Sequence, residues 1–263
     1  VFGEKAVLRL LASGNMVADA ETFGMNQAHF EQFSKMLEAP NGMIYITGPT
    51  GSGKTTTLYM ALQKLSNRKV NIATIEDPVE WNIPRVNQCQ VNTVAGLTFE
   101  RGLRSLLRQD PDIIMVGETR DEETAAISVR AAITGHLVFS TLHTIGAANT
   151  IERIIDVFPP NQQRQITIQL ASVLQAVISQ QLIPSVDGTL IPVFEIMEVT
   201  PAIRNMIREN KVHQIDGLIY SSTGSGMMSM DQSLMQAYRD GKITKETAVL
   251  YALNAEMLSK RLR

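Results

Sequence analysis

The sequence predicts an α/β protein built on a mostly parallel β-sheet with helices on both faces. Two observations carry this prediction. Short apolar runs at 43–47, 70–75, 112–116 and 136–141 alternate with segments of helical spacing, and such alternation favours a parallel sheet that is covered on both sides. Hydrophobic residues make up 44% of the 263 positions and charged residues 19%, so the chain can bury a sizeable core.

The overall charge and the single cysteine exclude several classes of protein. With 24 basic and 26 acidic residues the net charge is −2, which excludes a protein that coats nucleic acid with a wholly basic surface. Cys89 is the one cysteine of the sequence. One thiol makes neither an internal disulfide nor a zinc cluster, so we expect a reducing compartment. The long uncharged stretches at 131–151 and 165–186 contain histidines or glutamines and do not predict a membrane span.

The first half of the chain is predicted to be a regular succession of elements. Residues 5–11 predict a strand, and 27–38 predict a helix that ends before Pro40. The four apolar runs are the predicted strands of the sheet. The helices that follow the first three of them are predicted at 54–65, 98–109 and 122–134. Thr98 and Asp121 precede two of these helices and are predicted as their N-caps.

The second half of the chain is predicted to be mostly helical. Apolar residues recur at helical spacing through 165–183, which predicts one long helix. Asp187-Gly188 predicts a hairpin turn. Thr200-Pro201 predicts the N-cap and first turn of a helix that ends near residue 210. A loop of small residues and two further helices are predicted after it, at 217–229, 230–239 and 245–258.

Residues 48–55 read GPTGSGKT and match the phosphate-binding loop pattern G-x-x-x-x-G-K-[ST]. They lie between a predicted strand and a predicted helix. There the glycines let backbone N–H groups turn toward phosphate oxygens, and the helix N-terminus favours negative charge. Lys54 is predicted to contact the β and γ phosphates of a nucleotide, and Thr55 to offer its hydroxyl to Mg²⁺. The predicted nucleotide-binding residues of this segment are Gly48, Pro49, Thr50, Gly51, Ser52, Gly53, Lys54, Thr55 and Thr56.

Carboxylates follow two of the predicted strands. Glu118 comes shortly after the third apolar run, at a place where an acid supports Mg²⁺ directly or through water. Glu76, Asp77 and Glu80 follow the second run. Because the ends of parallel strands converge on one ligand crevice, a carboxylate of this group is predicted to orient an attacking water.

Histidines and arginines supply the remaining candidate groups. His143 follows the fourth predicted strand and is a candidate for sensing or stabilising a γ phosphate, with His136 as a second candidate. Arg101, Arg104 and Arg108 share one helical face. That face is either solvated or directed at a phosphate or a neighbouring subunit, and the sequence leaves these alternatives open.

Four motifs together resemble the motor ATPases of type IV pili and type II secretion. They are GPTGSGKTTTLY (48–59), IEDPVEW (75–81), TFERGLRSLLRQDPDIIMVGETRD (98–121) and TGHLVFSTLHT (134–144), in the order of the family. The resemblance implies a RecA-like P-loop domain over residues 24–199 and a helical C-terminal subdomain over 200–263. GEKAVLRLL (3–11) resembles the last strand of the family's upstream domain, so we expect residues 1–23 to be the end of that domain and a linker.

The resemblance also implies roles for individual residues. Glu80 matches the glutamate of the family's acidic box that polarises the attacking water, and Glu118 is expected near Mg²⁺. His143 matches the family's histidine box. Three arginines match positions that face a nucleotide or a subunit interface: Arg9, Arg108 and Arg120. The implied catalytic residues are therefore Lys54, Glu80, Glu118 and His143, and the implied metal ligands are Thr55 and Glu118.

The resemblance further implies partners and a location. The family forms homo-hexamers that hydrolyse ATP with Mg²⁺ in the cytoplasm, at the inner membrane, and act on a platform protein there. No four-cysteine insert follows 180–190, so no zinc is expected, and no nucleic acid is expected as a partner.

The direction of work is the point on which the resemblance divides. The stretches 3–11 and 87–110 resemble the assembly and secretion subfamily, so pilus assembly or type II secretion is the first interpretation. The stretches 150–166 and 201–210 resemble the retraction subfamily and make a pilus retraction motor the alternative. A RecA-like nucleic-acid translocase is a more remote alternative, against which the acidic balance of charge argues.

Overall fold

The computed structural model of the protein describes residues 23–222 and 226–262. Its strands are β1 (Gly42–Thr47), β2 (Ile72–Glu76), β3 (Val86–Gln90), β4 (Ile113–Val116), β5 (Leu137–Leu142), β6 (Leu174–Pro184) and β7 (Leu190–Glu198). Its helices are α1 (Gln27–Met36), α2 (Lys54–Leu65), α3 (Phe99–Leu106), α4 (Glu122–Ile133), α5 (Ala147–Asp156), α6 (Pro160–Val173), α7 (Pro201–Arg208), α8 (Ile215–Ser221), α9 (Met230–Arg239), α10 (Lys245–Leu250) and α11 (Ala255–Arg261). The strand predicted at 5–11, and Arg9 within it, lie outside the described residues.

Within the described residues the sheet has seven strands in the order β3-β2-β4-β5-β1-β6-β7. Neighbouring strands are parallel from β3 to β6, and β7 pairs with β6 as an antiparallel strand at one edge. The prediction of an α/β fold with a mostly parallel sheet is therefore confirmed. Because the parallel strands share one direction, the segments after β1, β2, β4 and β5 leave the same edge, where proteins of this class bind ligands.

Apolar side chains cover both faces of the sheet. Along β1, Met43 and Tyr45 belong to the cluster on one face and Ile44 and Ile46 to the cluster on the other. Helices α3 to α8 contribute to the first cluster, and α1 and α2 to the second. A third cluster joins the far end of the β6–β7 hairpin to α9, α10 and α11. Among the described helices, none combines the length and the apolar character that crossing a membrane requires.

Local chemistry begins and ends several elements where the sequence predicts it. The predicted N-caps Thr98, Asp121 and Thr200 each accept a hydrogen bond from the backbone N–H three residues later. Helix α2 has the predicted bounds. The turn at Asp187-Gly188 joins β6 to β7, with Gly188 at a φ of 83° that favours glycine.

The helix predicted over 165–183 is wrong in its second half. α6 ends at Val173, and the next eleven residues form β6, which lies between β1 and β7. Most side chains along this strand are buried, including the polar Ser179, Gln180 and Gln181, so apolar and polar residues do not alternate and the apolar ones match a helical spacing by coincidence. Pairing with two strands then decides the structure, and the β-branched Val177 and Ile178 favour it.

Two further differences concern an edge strand and a predicted loop. The sequence does not predict β3, because VNQCQ (86–90) is mostly polar and forms the edge of the sheet. Helix α8 extends to Ser221 and so enters the loop predicted at 217–229, of which 223–225 lie outside the described residues.

The single helix predicted at 245–258 is interrupted. Its two parts are α10 and α11. The carboxylate of Asp231 in α9 accepts the backbone N–H groups of Leu253 and Asn254 at 2.8 and 3.1 Å. These bonds hold the chain between the two helices, a tertiary contact that helical spacing does not reveal.

The edge strand β7 carries a buried carboxyl group, that of Glu195. Glu195 in β7 is 1% exposed. Its two oxygens accept the N–H groups of Ala147 at 2.7 Å and of Met230 at 3.3 Å. Burial raises the pKa of Glu195 to about 7, and the acidic Asp216 and Asp231 add to the rise.

We expect the free energy of unfolding to fall as the pH rises from 5 to 8. Between the ordinary pKa of 4.5 and the raised pKa of about 7, the folded protein holds a proton on Glu195 that the unfolded chain has lost. This difference corresponds to about 2 to 3 kcal/mol. Burial also raises the pKa of Glu76 and of Asp216, which acts in the same direction.

Urea titrations at several pH values test this expectation. Glu195→Gln should make the fall between pH 5 and 8 smaller, because it removes the largest of these contributions. Stability that increases over the same interval would contradict the assignment of the raised pKa.

Candidate active site

The loop between β1 and α2 has a backbone that glycines alone adopt easily. Gly48, Gly51 and Gly53 have φ angles of 144°, 79° and 84°. A Cβ on Gly48 would lie 2.1 Å from the carbonyl oxygen of Gln180 in β6, so no larger residue fits there. A Cβ on Gly51 would have no neighbour within 4 Å. The loop is thus closed toward the sheet and open toward the edge where α2 begins.

Lys54 is the first residue of α2, and its ammonium group lies inside this loop. Its Nζ donates to the carbonyl oxygens of Gly48 and Pro49 at 2.8 and 2.9 Å, and it lies 3.5 Å from Nδ1 of His143. The residue is 8% exposed. Burial lowers its pKa, and the Glu118 carboxylate opposes that shift.

A histidine, an acid and an arginine continue from Lys54 along the edge of the sheet. Nε2 of His143, after β5, lies 3.5 Å from an oxygen of Glu118, after β4. The other oxygen of Glu118 forms an ion pair with Arg120. The Glu118 side chain is 13% exposed and that of His143 is 55% exposed. The structure therefore brings together four predicted site residues that come from three separate segments.

The acidic segment after β2 is held by a tyrosine. Glu76 is buried, and the hydroxyl groups of Tyr59 and Thr74 donate to its carboxylate. Burial raises the pKa of Glu76, and these hydrogen bonds oppose the shift. The Tyr59 hydroxyl also accepts the backbone N–H of Glu80 at 3.0 Å, and the centres of the Tyr59 and Trp81 rings lie 4.4 Å apart with the rings tilted by 67°. Tyr59 thus fixes the backbone of Glu80 after β2, a role that the sequence alone does not predict.

These segments enclose one cleft of about 550 Å³. Most of the predicted site residues line it: Thr50, Gly51, Ser52, Gly53, Lys54, Thr55, Thr56, Glu80, Glu118, Arg120 and His143. Gly48 and Pro49 lie behind the cleft, where their carbonyl groups hold Lys54. Lys54 and Arg120 bring basic groups to the cleft, and Glu80 and Glu118 bring acidic groups. This combination suits a phosphate chain and a divalent cation.

Two predicted groups lie elsewhere. Arg108 and His136 line a separate cleft between α3 and α4, together with Arg104 and Arg130. Arg104 pairs with Glu100 of its own helix at 2.9 Å. The reason is the packing of α3, which buries Leu103 and Leu106 against the sheet and turns its arginines outward. Within one described chain these arginines therefore do not reach the site.

The residues of the cleft fit a nucleotide with Mg²⁺. The Ser52 hydroxyl is buried without a hydrogen-bond partner in the described residues, so the loop holds an unsatisfied polar group. Thr55 and Glu118 offer a hydroxyl and a carboxylate to the same cleft, and Mg²⁺ prefers such oxygen ligands. The described residues contain no cluster of three or more His, Cys, Asp or Glu side chains that would hold a metal unaided.

Gln180 in β6 fixes the loop from behind. Its Oε1 accepts the Thr57 hydroxyl at 2.8 Å, and its Nε2 donates to the Ser52 carbonyl. The side chain is 2% exposed. The sequence does not predict this role, because its spacing predicts a helix over β6, which would not direct Gln180 at the loop.

We expect Gln180→Met to weaken ATP binding by about tenfold without unfolding the protein. Methionine has a similar length, but it makes neither the hydrogen bond to Ser52 in the loop nor the one to Thr57 in α2. Gln181→Met is the matched control. Gln181 is also buried, but it donates to the Tyr251 carbonyl at 3.3 Å and does not contact the loop. Calorimetric titration with ATP measures both variants, and equal affinities in the two would contradict the role of Gln180.

The sequence of this chain is similar to those of several known proteins. Residues 1–190 match the family described as "Type II/IV secretion system protein". A twitching motility protein of Neisseria gonorrhoeae is 45% identical over 233 residues, which are 86% of this chain and 62% of that protein. The type IV pilus retraction ATPase PilT of Pseudomonas aeruginosa is 45% identical over 251 residues, which are 94% of this chain and 71% of that protein. The chain thus spans about two thirds of the length of these relatives.

A solved structure agrees with the sequence comparison. The crystal structure of the pilus retraction motor PilT with bound ADP superimposes with a TM-score of 0.84 at 38% identity. The match covers 96% of this chain and 71% of that one.

Proposed function

Since the chain belongs to the type II/IV secretion system protein family, we propose that it is the ATP-hydrolysing part of a type IV pilus retraction motor. The observation that carries the proposal is the line of groups Lys54, His143 and Glu118 at the mouth of the phosphate-binding loop. Glu80 lines the same cleft. A cationic group and an acid in one cleft are what in-line attack on a γ phosphate requires.

Each residue has a distinct part in the proposed hydrolysis. The backbone N–H groups of the loop and of the first turn of α2 bind the β and γ phosphates of ATP. Lys54 stabilises the charge that develops as the γ phosphate leaves. Glu80 orients the attacking water, with its backbone held by Tyr59. Mg²⁺, when bound, neutralises phosphate charge, and Thr55 and Glu118 are the residues that would hold it.

Release of phosphate from ATP by the purified full-length protein tests this proposal. We expect turnover that requires Mg²⁺ and stops when excess chelator is added. Tight binding of ATP and Mg²⁺ without any turnover would instead support a subunit that only binds nucleotide.

Two observations support retraction over assembly, the first interpretation of the sequence. The two curated relatives named for twitching motility and pilus retraction match over 86% and 94% of the chain. In addition, β6 and β7 are joined by a tight turn, in which the N–H of Ser185 donates to the Thr189 carbonyl at 2.9 Å. The metal-binding insert of many assembly and secretion members would occupy that position.

The remaining parts of the proposal concern the assembled motor. We infer a homo-hexamer that works in the cytoplasm against a platform protein of the inner membrane. Arg108 and its neighbours between α3 and α4, which do not reach the cleft of their own chain, are then available to an adjacent subunit. Residues 24–199 form the ATPase domain in this proposal and 200–263 a helical subdomain.

A further inference from the structure

The loop that carries His143 is fastened to the edge of the sheet by one pair of side chains. The register of the β6–β7 hairpin places Ser179 opposite Glu195, and both are buried. Ser179 Oγ accepts the N–H of Gly146 at 3.0 Å, and Glu195 Oε1 accepts the N–H of Ala147 at 2.7 Å. Two successive N–H groups are thus held by two directly paired residues.

This fastening lies close to the reacting groups. Only Thr144 and Ile145 separate His143 from Gly146, and His143 lies between Lys54 and Glu118. The carbonyl of Gly146 also accepts the Thr150 hydroxyl at 2.7 Å, which fixes the turn into α5. A displacement of the His143 imidazole would therefore strain the hydrogen bonds that Gly146 and Ala147 donate to Ser179 and Glu195.

The second oxygen of Glu195 belongs to another part of the molecule. It accepts the N–H of Met230, the first residue of α9, at 3.3 Å. The next residue, Asp231, holds the chain between α10 and α11 through Leu253 and Asn254. One carboxylate is thus shared between the segment after His143 and the helices of the C-terminal region.

The carboxyl group of Glu195 is held by helix N-termini and not by a cation. It forms no ion pair with any residue that the structure describes. Its oxygens accept from the starts of α5 and α9, where the helix dipole favours negative charge. A buried acid with such partners is sensitive to the position of either helix, because losing one bond leaves a buried oxygen without a hydrogen-bond partner.

We propose that Glu195 is a positioning residue that sets the His143 loop relative to α9 and so couples the nucleotide site to the C-terminal helices. The inference rests on the proposed function, since the state that it transmits is that of the same nucleotide site. When nucleotide binds at Lys54 and His143, the position of Ala147 changes, and so does its hydrogen bond to Glu195. Glu195 transmits this change to Met230 through its second oxygen.

The test compares Glu195→Gln with Glu198→Gln in the full-length protein. The control makes the same change three residues along β7, where the carboxylate accepts a hydrogen bond from Gln32 in α1 instead. Two quantities are measured: kcat and KM for ATP, and amide hydrogen exchange in residues 230–239 with and without ADP.

In the unmodified protein and in Glu198→Gln, we expect ADP to slow exchange at the start of α9. In Glu195→Gln we expect this response to disappear and kcat to fall about tenfold, with KM within about threefold. A variant that has lost only stability would also show a lower apparent kcat at unchanged KM, because less of the protein is folded, but its folded fraction would keep the ADP response in α9. An ADP response in Glu195→Gln equal to that of the control would overturn the proposal.

Ser179→Ala provides a second variant that keeps the buried carboxyl group of Glu195. It removes the bond to Gly146 alone, so we expect a smaller fall in kcat in the same direction, and an unchanged kcat would contradict the proposal. An unmodified protein that binds ADP without any response in α9 overturns this inference alone. A protein that binds no nucleotide overturns the proposed function as well.

Discussion

Replacing Lys54 by alanine is expected to lower ATP turnover by about a hundred- to a thousandfold and to weaken ATP binding. The Lys54 ammonium group lies inside the loop, 2.8 and 2.9 Å from the Gly48 and Pro49 carbonyl oxygens. A cation there faces the phosphates that the loop binds. Alanine removes positive charge from the point where negative charge develops. Phosphate release and titration with a fluorescent ATP analogue measure the two effects.

Lys64→Ala is the matched control for this variant, because it removes the same charge from the same helix. The Lys64 ammonium group contacts the Ser34 hydroxyl at 2.8 Å and lies 4.5 Å from the centre of the Phe30 ring, away from the cleft. We expect its turnover to stay within about twofold of the unmodified protein. Equal losses in both variants would mean that a weakened α2, and not the missing charge, causes the effect.

Glu80→Gln is expected to lower turnover by about a hundred- to a thousandfold while ATP affinity stays within about threefold. Glutamine has the same shape but does not act as a base toward water. The backbone N–H of Glu80 donates to the Tyr59 hydroxyl, and this bond does not depend on the side chain. The variant should therefore fold, bind ATP and fail at the chemical step.

The comparison of the two variants separates binding from chemistry. Lys54→Ala should impair both quantities and Glu80→Gln only turnover. Glu38→Gln, whose carboxylate pairs with Arg68 at the surface, controls for the loss of one negative charge and should leave both unchanged. If Glu80→Gln lost affinity and turnover equally, the role of Glu80 in activating water would be wrong.

The sequence predicts the part of the site that follows parallel strands. Each of β1, β2, β4 and β5 is a short apolar run, and each is followed by a motif with a chemical reason for its residues. Because parallel strands share one direction, their ends must meet, and Lys54, Glu80, Glu118 and His143 line one cleft. The N-caps are predictable for a similar reason, since capping depends on residues three apart.

The sequence does not predict the residues whose roles depend on pairing between distant segments. Gln180 and Glu195 lie on β6 and β7, and a register that no local pattern specifies directs them at the loop after β1 and at α5. The burial of β6 between two other strands removes the alternation that would have marked it as a strand. Arg108 shows the opposite limit, because a helical face of arginines does not by itself distinguish a solvated surface from one directed at a phosphate or a neighbouring subunit.

Whether this chain drives pilus retraction is tested most directly in cells of the organism that encodes it. The gene is deleted, surface pili are counted by electron microscopy, and twitching is measured at the edge of colonies. We expect more and longer pili and no twitching, with both restored by the unmodified gene but not by Glu80→Gln. Cells without pili would contradict the claim and show that the chain works in assembly.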